Sequence, residues 1–143
     1  MAATTLINNR LILFRGYGEC TDKWLYGQYI HLDIAPKLEC INHKYRDFIF
    51  SQTTHGEAFF PVKENTVGQF TGYYDALYNP IYEGDIVKLY NVWADIYQVK
   101  YLDYIDTFGL QKENTEHFFL EFRDVNPCNI EITGNIYKLP KNK

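Results

Sequence analysis

Apolar and polar positions along the chain alternate in short bursts, and turn residues separate the bursts. Residues 10–15 form a short apolar strand, 16–22 a loop, and 23–33 a second strand with Trp24, Tyr26, Ile30 and Leu32 on one parity, so the pair predicts a hairpin. Ala35-Pro36 then breaks the pattern. Strands are expected at 45–50 and 58–62, joined through Thr53-Thr54-His55-Gly56, and at 67–71, ending at Gly72. The stretch 75–80 is rich in turn residues, with Asn79-Pro80 its strongest signal, and Glu83-Gly84-Asp85 makes a tight turn into a strand at 86–90. Further strands follow at 94–102, 118–123 and 130–133.

One segment fits two periods. Trp93, Ile96, Tyr97, Tyr101, Tyr104 and Ile105 suit a helix, whereas Trp93, Asp95, Tyr97, Val99 and Tyr101 suit a strand. No capping box opens it, although Asn91 could cap a helix, and the strand reading is preferred. The whole pattern predicts a mainly β protein. Residues 1–65 form an N-terminal β-hairpin region and residues 66–143 a small C-terminal SH3-like or similar β-barrel, or the two make one continuous domain; the expected seam is 61–65.

Composition narrows the function classes. A chain of 143 residues can hold one domain with a real core, or two small lobes. The longest apolar run is Leu11 to Phe14, too short for a membrane helix or the core of a signal peptide. Thirteen tyrosines, ten phenylalanines and two tryptophans favour strands and leave many rings with a polar edge to satisfy. Ser51 is the only serine, and Phe50-Ser51-Gln52 is no nucleophile elbow. Cys20, Cys40 and Cys128 are odd in number and lack a Cys-x-x-Cys pair, which suits reduced thiols in a cytoplasmic setting. With 14 basic against 18 acidic residues, the chain has no general attraction for phosphate backbones.

Three blocks make the sequence resemble the YopX-like family of small bacteriophage and prophage proteins. They are Lys23-Trp24-Leu25-Tyr26-Gly27; Asn65-Thr66-Val67-Gly68-Gln69-Phe70-Thr71-Gly72 with Ile81-Tyr82-Glu83-Gly84-Asp85-Ile86-Val87; and Ile132-Thr133-Gly134-Asn135-Ile136-Tyr137. The resemblance implies a phage or prophage origin, a bacterial cytoplasmic setting, and strands at Val99-Lys100-Tyr101 and Phe108-Gly109-Leu110, but no reaction. The chain departs from the family pattern at Ala76-Leu77-Tyr78-Asn79-Pro80, and residues 34–64 match nothing distinctive, so a member-specific function is to be sought there. Trp24, Gly27, Gly68, Gly72, Tyr82, Glu83, Gly84, Asp85, Gly134, Asn135 and Tyr137 are read as fold-specifying: the glycines at 68, 72, 84 and 134 at strand ends, Asp85 bonding its own turn, and Tyr82 and Tyr137 burying their rings.

Candidate chemistry is sparse. Cys40-Ile41-Asn42-His43 gives one ligand pair where closed zinc sites show two, so no metal is expected. Glu83 and Asp85 leave one turn together, but such carboxylates usually bond backbone. Gly16-Tyr17-Gly18 has Thr21 where a phosphate loop needs its third glycine. Lys44-Tyr45-Arg46 and residues 97–101 pair rings with basic residues, but the only basic cluster is the terminal Lys138, Lys141 and Lys143. The expectation is a non-enzymatic accessory protein without cofactor or membrane association, a binding or assembly module for a phage or host protein; a nucleic-acid-associated factor is the alternative. Self-association is expected through Phe59, Phe60, Phe118 and Phe119, with Lys23, Lys88 and Lys100 guarding other sheet edges.

Overall fold

A computed structural model describes residues 5–7, 10–33 and 45–141. The chain divides into two compact units, with the boundary between Gln69 and Phe70. Both are built of antiparallel strands, and the only helical segments among the described residues are single 3-10 turns. None is long and apolar enough to cross a membrane. The mainly β expectation therefore holds. The Cys40–His43 pair, Lys44 and Ala35-Pro36 lie outside the described residues.

The first unit holds β1 (Thr5–Ile7), β2 (Arg10–Ile12), β3 (Phe14–Tyr17), β4 (Trp24–His31), β5 (Asp47–Thr53), β6 (Gly56–Pro61) and the start of β7 (Gly68–Tyr74). Among the described residues, strands β1 and β2 pair only with each other, while the others run in the order β6-β5-β4-β3-β7. The predicted single strand at 10–15 is thus two, broken at Leu13 because β2 returns to β1 and β3 joins the larger sheet. Strand β3 also runs on to Tyr17 into the predicted loop, and Gly18 bridges Val62. The expected hairpin of β3 and β4 is present, with Phe14 opposite Gly27 and Tyr17 opposite Trp24. Its core parity differs from the one picked out in the sequence: Leu25 packs with Ile49 and Val62, and Tyr29 joins them. Gly27 lies on that same parity because the strand must approach β5 closely there. Between Thr53 and Gly56 only two residues turn the chain, and Gly56 supplies the positive φ of 113°.

The second unit carries the end of β7, then β8 (Pro80–Tyr82), β9 (Asp85–Leu89), β10 (Asp95–Leu102), β11 (Thr107–Lys112), β12 (Phe119–Glu121) and β13 (Ile130–Asn135). Five of these form a sheet in the order β12-β11-β10-β9-β13. Its inner face is made by cross-strand rows, Leu89 beside Ile130 and Val99–Leu110–Leu120, all nearly inaccessible to water. The ambiguous segment is strand β10: Val99, which only the strand period turns inward, is buried, whereas Tyr104, which only the helical period would bury, is exposed; Trp93 and Tyr101, common to both periods, are exposed as well. No ladder joins β12 to β13 among the described residues.

Two expectations change here. Gly72 and Gly134 do not end strands; each lies within one, at a break in register, where a bulge bends the ladder. Gly72 needs its positive φ of 88° for this. Lys88 and Lys100 lie on β9 and β10, which are inner strands with neighbours on both sides, so they guard no edge. The loop 75–80 is organised by Asp75, whose carboxylate accepts from the Leu77 and Asn79 amides at 2.9 Å.

Gly27 offers a sharp test of the packing between β4 and β5. A Cβ there would sit 1.9 Å from the Phe50 carbonyl oxygen, which is backbone and cannot swing away. Gly27→Ala is expected to cost about 3 kcal/mol or more in urea unfolding. Gly72→Ala, with open space around it, should cost only the ~1–2 kcal/mol of left-handed strain.

Candidate functional site

The family motif residues of the second unit meet at one turn. Tyr82 and Asp85 flank Glu83-Gly84, and the Asp85 carboxylate, 1% exposed, accepts the Tyr82 amide at 2.8 Å. Gly84 takes a φ of 93°, donates its amide to Val99 of β10, and accepts at its carbonyl from Ile136 just beyond β13. The Tyr137 ring lies directly over it, where a Cβ at Gly84 would come 2.7 Å from the hydroxyl. Asn135 closes the chain end: its amide donates to the Leu139 carbonyl and accepts the Leu139 amide. A carboxylate enclosed this way holds a backbone turn and offers no free face to a substrate. Trp24, Gly27 and Gly68 lie in the first unit. Trp24 covers the fully buried Arg15, whose guanidinium carbon is 4.3 Å from the ring centroid, and Gly68 opens β7 opposite Arg15.

A second cluster was not legible in the sequence. Asp47, 6% exposed at the start of β5, accepts on one oxygen from the Tyr29 hydroxyl at 2.6 Å and bonds His31 Nδ1 at 2.7 Å. The antiparallel register sets His31 directly opposite Asp47, so sixteen residues of sequence separation become one cross-strand pair. Burial, then the hydrogen bond to Asp47, hold the Tyr29 hydroxyl well above its ordinary pKa. The bond to Asp47 raises His31, against a smaller opposing effect of desolvation, with Asp33 and Glu64 adding to the rise. A His–Asp pair of this kind could serve a base, but no nucleophile is bonded to His31 among the described residues. Nor do three or more His, Cys, Asp or Glu side chains converge into a metal site there among the described residues.

What the surface does offer is aromatic area. Phe59 on β6 is 51% exposed, with its ring against Phe50. Phe60 is half-buried against the first core. Phe118 packs between Trp93 and Tyr97, and Phe119 on β12 meets the exposed Tyr104. Both phenylalanine runs singled out in the sequence fall on or beside terminal strands, β6 and β12. A cavity of about 280 Å³ opens beside β12, where Tyr73 stacks on Phe122 at 4.5 Å. Cys20 and Cys128 are exposed free thiols.

Comparison with known proteins gives a family and similar solved structures. The family described as YopX protein matches residues 13–142. Among solved structures, protein EF1440 from Enterococcus faecalis is similar at 17% identity and a TM-score of 0.43, covering 94% of this chain and 96% of its own. No curated protein matches.

The His31–Asp47 bond predicts a pH dependence of stability. A histidine raised in the folded state contributes stability fully below its unfolded value near 6.5 and loses it as pH rises through the folded value. NMR titration should place the His31 midpoint above 6.5, and Asp47→Asn should return it toward that value. Thermal unfolding of the parent should weaken through the same window, and the variant should lose this pH step.

Proposed function

The chain belongs to the YopX protein family, and from that premise we propose that it is a non-enzymatic accessory protein of phage or prophage type, a β-rich binding or assembly module acting in the bacterial cytoplasm. Its surface carries the reading: Phe59 stands exposed on the terminal strand β6, with Trp93, Tyr101 and Tyr104 exposed on the second unit, while the buried carboxylates Asp47 and Asp85 are engaged in holding strands and a turn. We read the second unit as an SH3-like barrel, a reading supported by four meandering strands, β9 to β12, followed by two 3-10 turns and a fifth strand that returns beside the first. A nucleic-acid role draws no support from the second unit's charge, where acidic residues outnumber basic ones.

The module works as a homo-oligomer, with β6 as the contact strand. Val62 donates to Asp47 across the β5–β6 pair, so by alternation residues 58 and 60 also bond inward, while Glu57 and Phe59 turn their backbone groups outward. Beyond them the edge is closed, because the Pro61 carbonyl accepts from Glu19 and the Lys63 amide donates to Tyr17. A second copy running antiparallel, centred on Ala58, places each Phe59 beside the partner strand and buries it.

Light scattering after size exclusion tests this at tens of micromolar protein. The expected mass is at least twice the 16.9 kDa of one chain, and Phe59→Glu should return it to one chain without changing the unfolding midpoint much. A single-chain mass at every concentration would overturn the assembly reading.

A further inference from the structure

The cavity beside β12 has walls and charges that select a particular ligand. Its lining includes Tyr73, Ile105, Phe108, Phe122, Glu121 and Arg123. Tyr73 and Phe122 lie nearly parallel, 11° apart, so Tyr73 presents a flat ring, itself 38% exposed, on a buried partner. Phe108 carries the aromatic wall on to Tyr101, whose ring meets it edge-on at 5.4 Å. Arg123 is the only basic group in the lining, and its Nε is already paired with Glu121. The turn that supplies Ile105 also carries exposed Asp103 and Asp106, and Asp124 follows Arg123, likewise exposed. The second unit as a whole holds eleven acidic and six basic residues, a net charge of −5.

Extending the docking-module reading, we propose that this groove binds an extended basic peptide segment of a protein partner, one whose lysine or arginine side chains rest on the Tyr73 face. Rings with an acidic surround attract a desolvated cation through the ring quadrupole and through unpaired carboxylates at once. The same acidic surround repels a phosphate backbone, which excludes single-stranded nucleic acid as the occupant. A free small cation leaves most of the aromatic wall uncovered, and a groove of about 280 Å³ open to solvent holds a side chain rather than a whole cofactor. β12 ends its sheet, so its outer backbone groups lie where an extended segment can add as a strand while its side chains reach the groove.

Selection from a randomised dodecapeptide library on the immobilised full chain tests the proposal. Enriched peptides are expected to carry net positive charge, and their binding should fall at least tenfold in 0.5 M salt. It should fall as far in Tyr73→Ser, and in the double variant Asp103→Lys, Asp124→Lys, which alters only exposed groups and keeps the test open should Tyr73→Ser unfold. Neutral or acidic peptides, binding unchanged in both variants, or no enrichment at all would overturn it. The assembly reading is judged separately by mass, since Phe59 lies on β6 of the first unit: an oligomer without peptide binding sinks only the groove, and peptide binding by a monomer sinks only the assembly.

Discussion

Gly84 is the point on which the second unit depends. Its left-handed backbone turns the chain from β8 into β9, and its two peptide groups tie that turn to β10 and to the segment after β13. No other residue type accepts both demands there, because a side chain would be strained by φ and would strike the Tyr137 ring. Asp85 then makes the turn self-supporting by accepting the Tyr82 amide inside the fold, where a hydrogen bond to a charged group contributes roughly 1.5–3 kcal/mol. Residues fifty apart in sequence thus form one physical unit. The blocks at 81–87 and 132–137 therefore meet at this one turn.

The first unit rests on a comparable arrangement with different chemistry. Arg15 is fully buried beneath Trp24, and Tyr17 meets Trp24 edge-on at 5.4 Å. The Tyr17 amide donates to Thr66, whose hydroxyl donates in turn to the Lys63 carbonyl. The ring contact accompanies the enclosed cation, and the Tyr17–Thr66–Lys63 hydrogen bonds hold strand β3 and the 3-10 turn at Glu64–Thr66 in one register. The buried polar side chains Arg15, Asp47 and Asp85 are engaged in this way, and the surface carries exposed rings.

Local chemistry was legible in the sequence wherever one residue dictates the backbone. The connection 75–80, Glu83-Gly84-Asp85 and Thr53-Thr54-His55-Gly56 each hold a turn, because glycine and short polar side chains act on their own neighbours. In the first, however, the turn falls at Ala76-Leu77, and Pro80 already opens β8. The strand reading of β10 also held, since burial at Tyr97 and Val99 follows a period of two. What escaped depends on which strands become neighbours. The break at Leu13, the bulges at Gly72 and Gly134, and the inner positions of Lys88 and Lys100 all follow from sheet order, which alternation cannot specify. The His31–Asp47–Tyr29 cluster is of the same kind: its members have no motif spacing, and only the β4–β5 register brings them together. Arg15 carried no signal either, since an arginine is expected at the surface.

The turn at Gly84 is part of the folded core of the second unit and not a mobile loop around a reactive pair of carboxylates. Native-state hydrogen exchange measures this directly. The amides of Tyr82, Gly84 and Ile136 should exchange only with the global opening of the unit, as slowly as those of Tyr97 and Val99 in the central strand β10. Exchange of the three turn amides by a local opening far easier than that of β10 would contradict it.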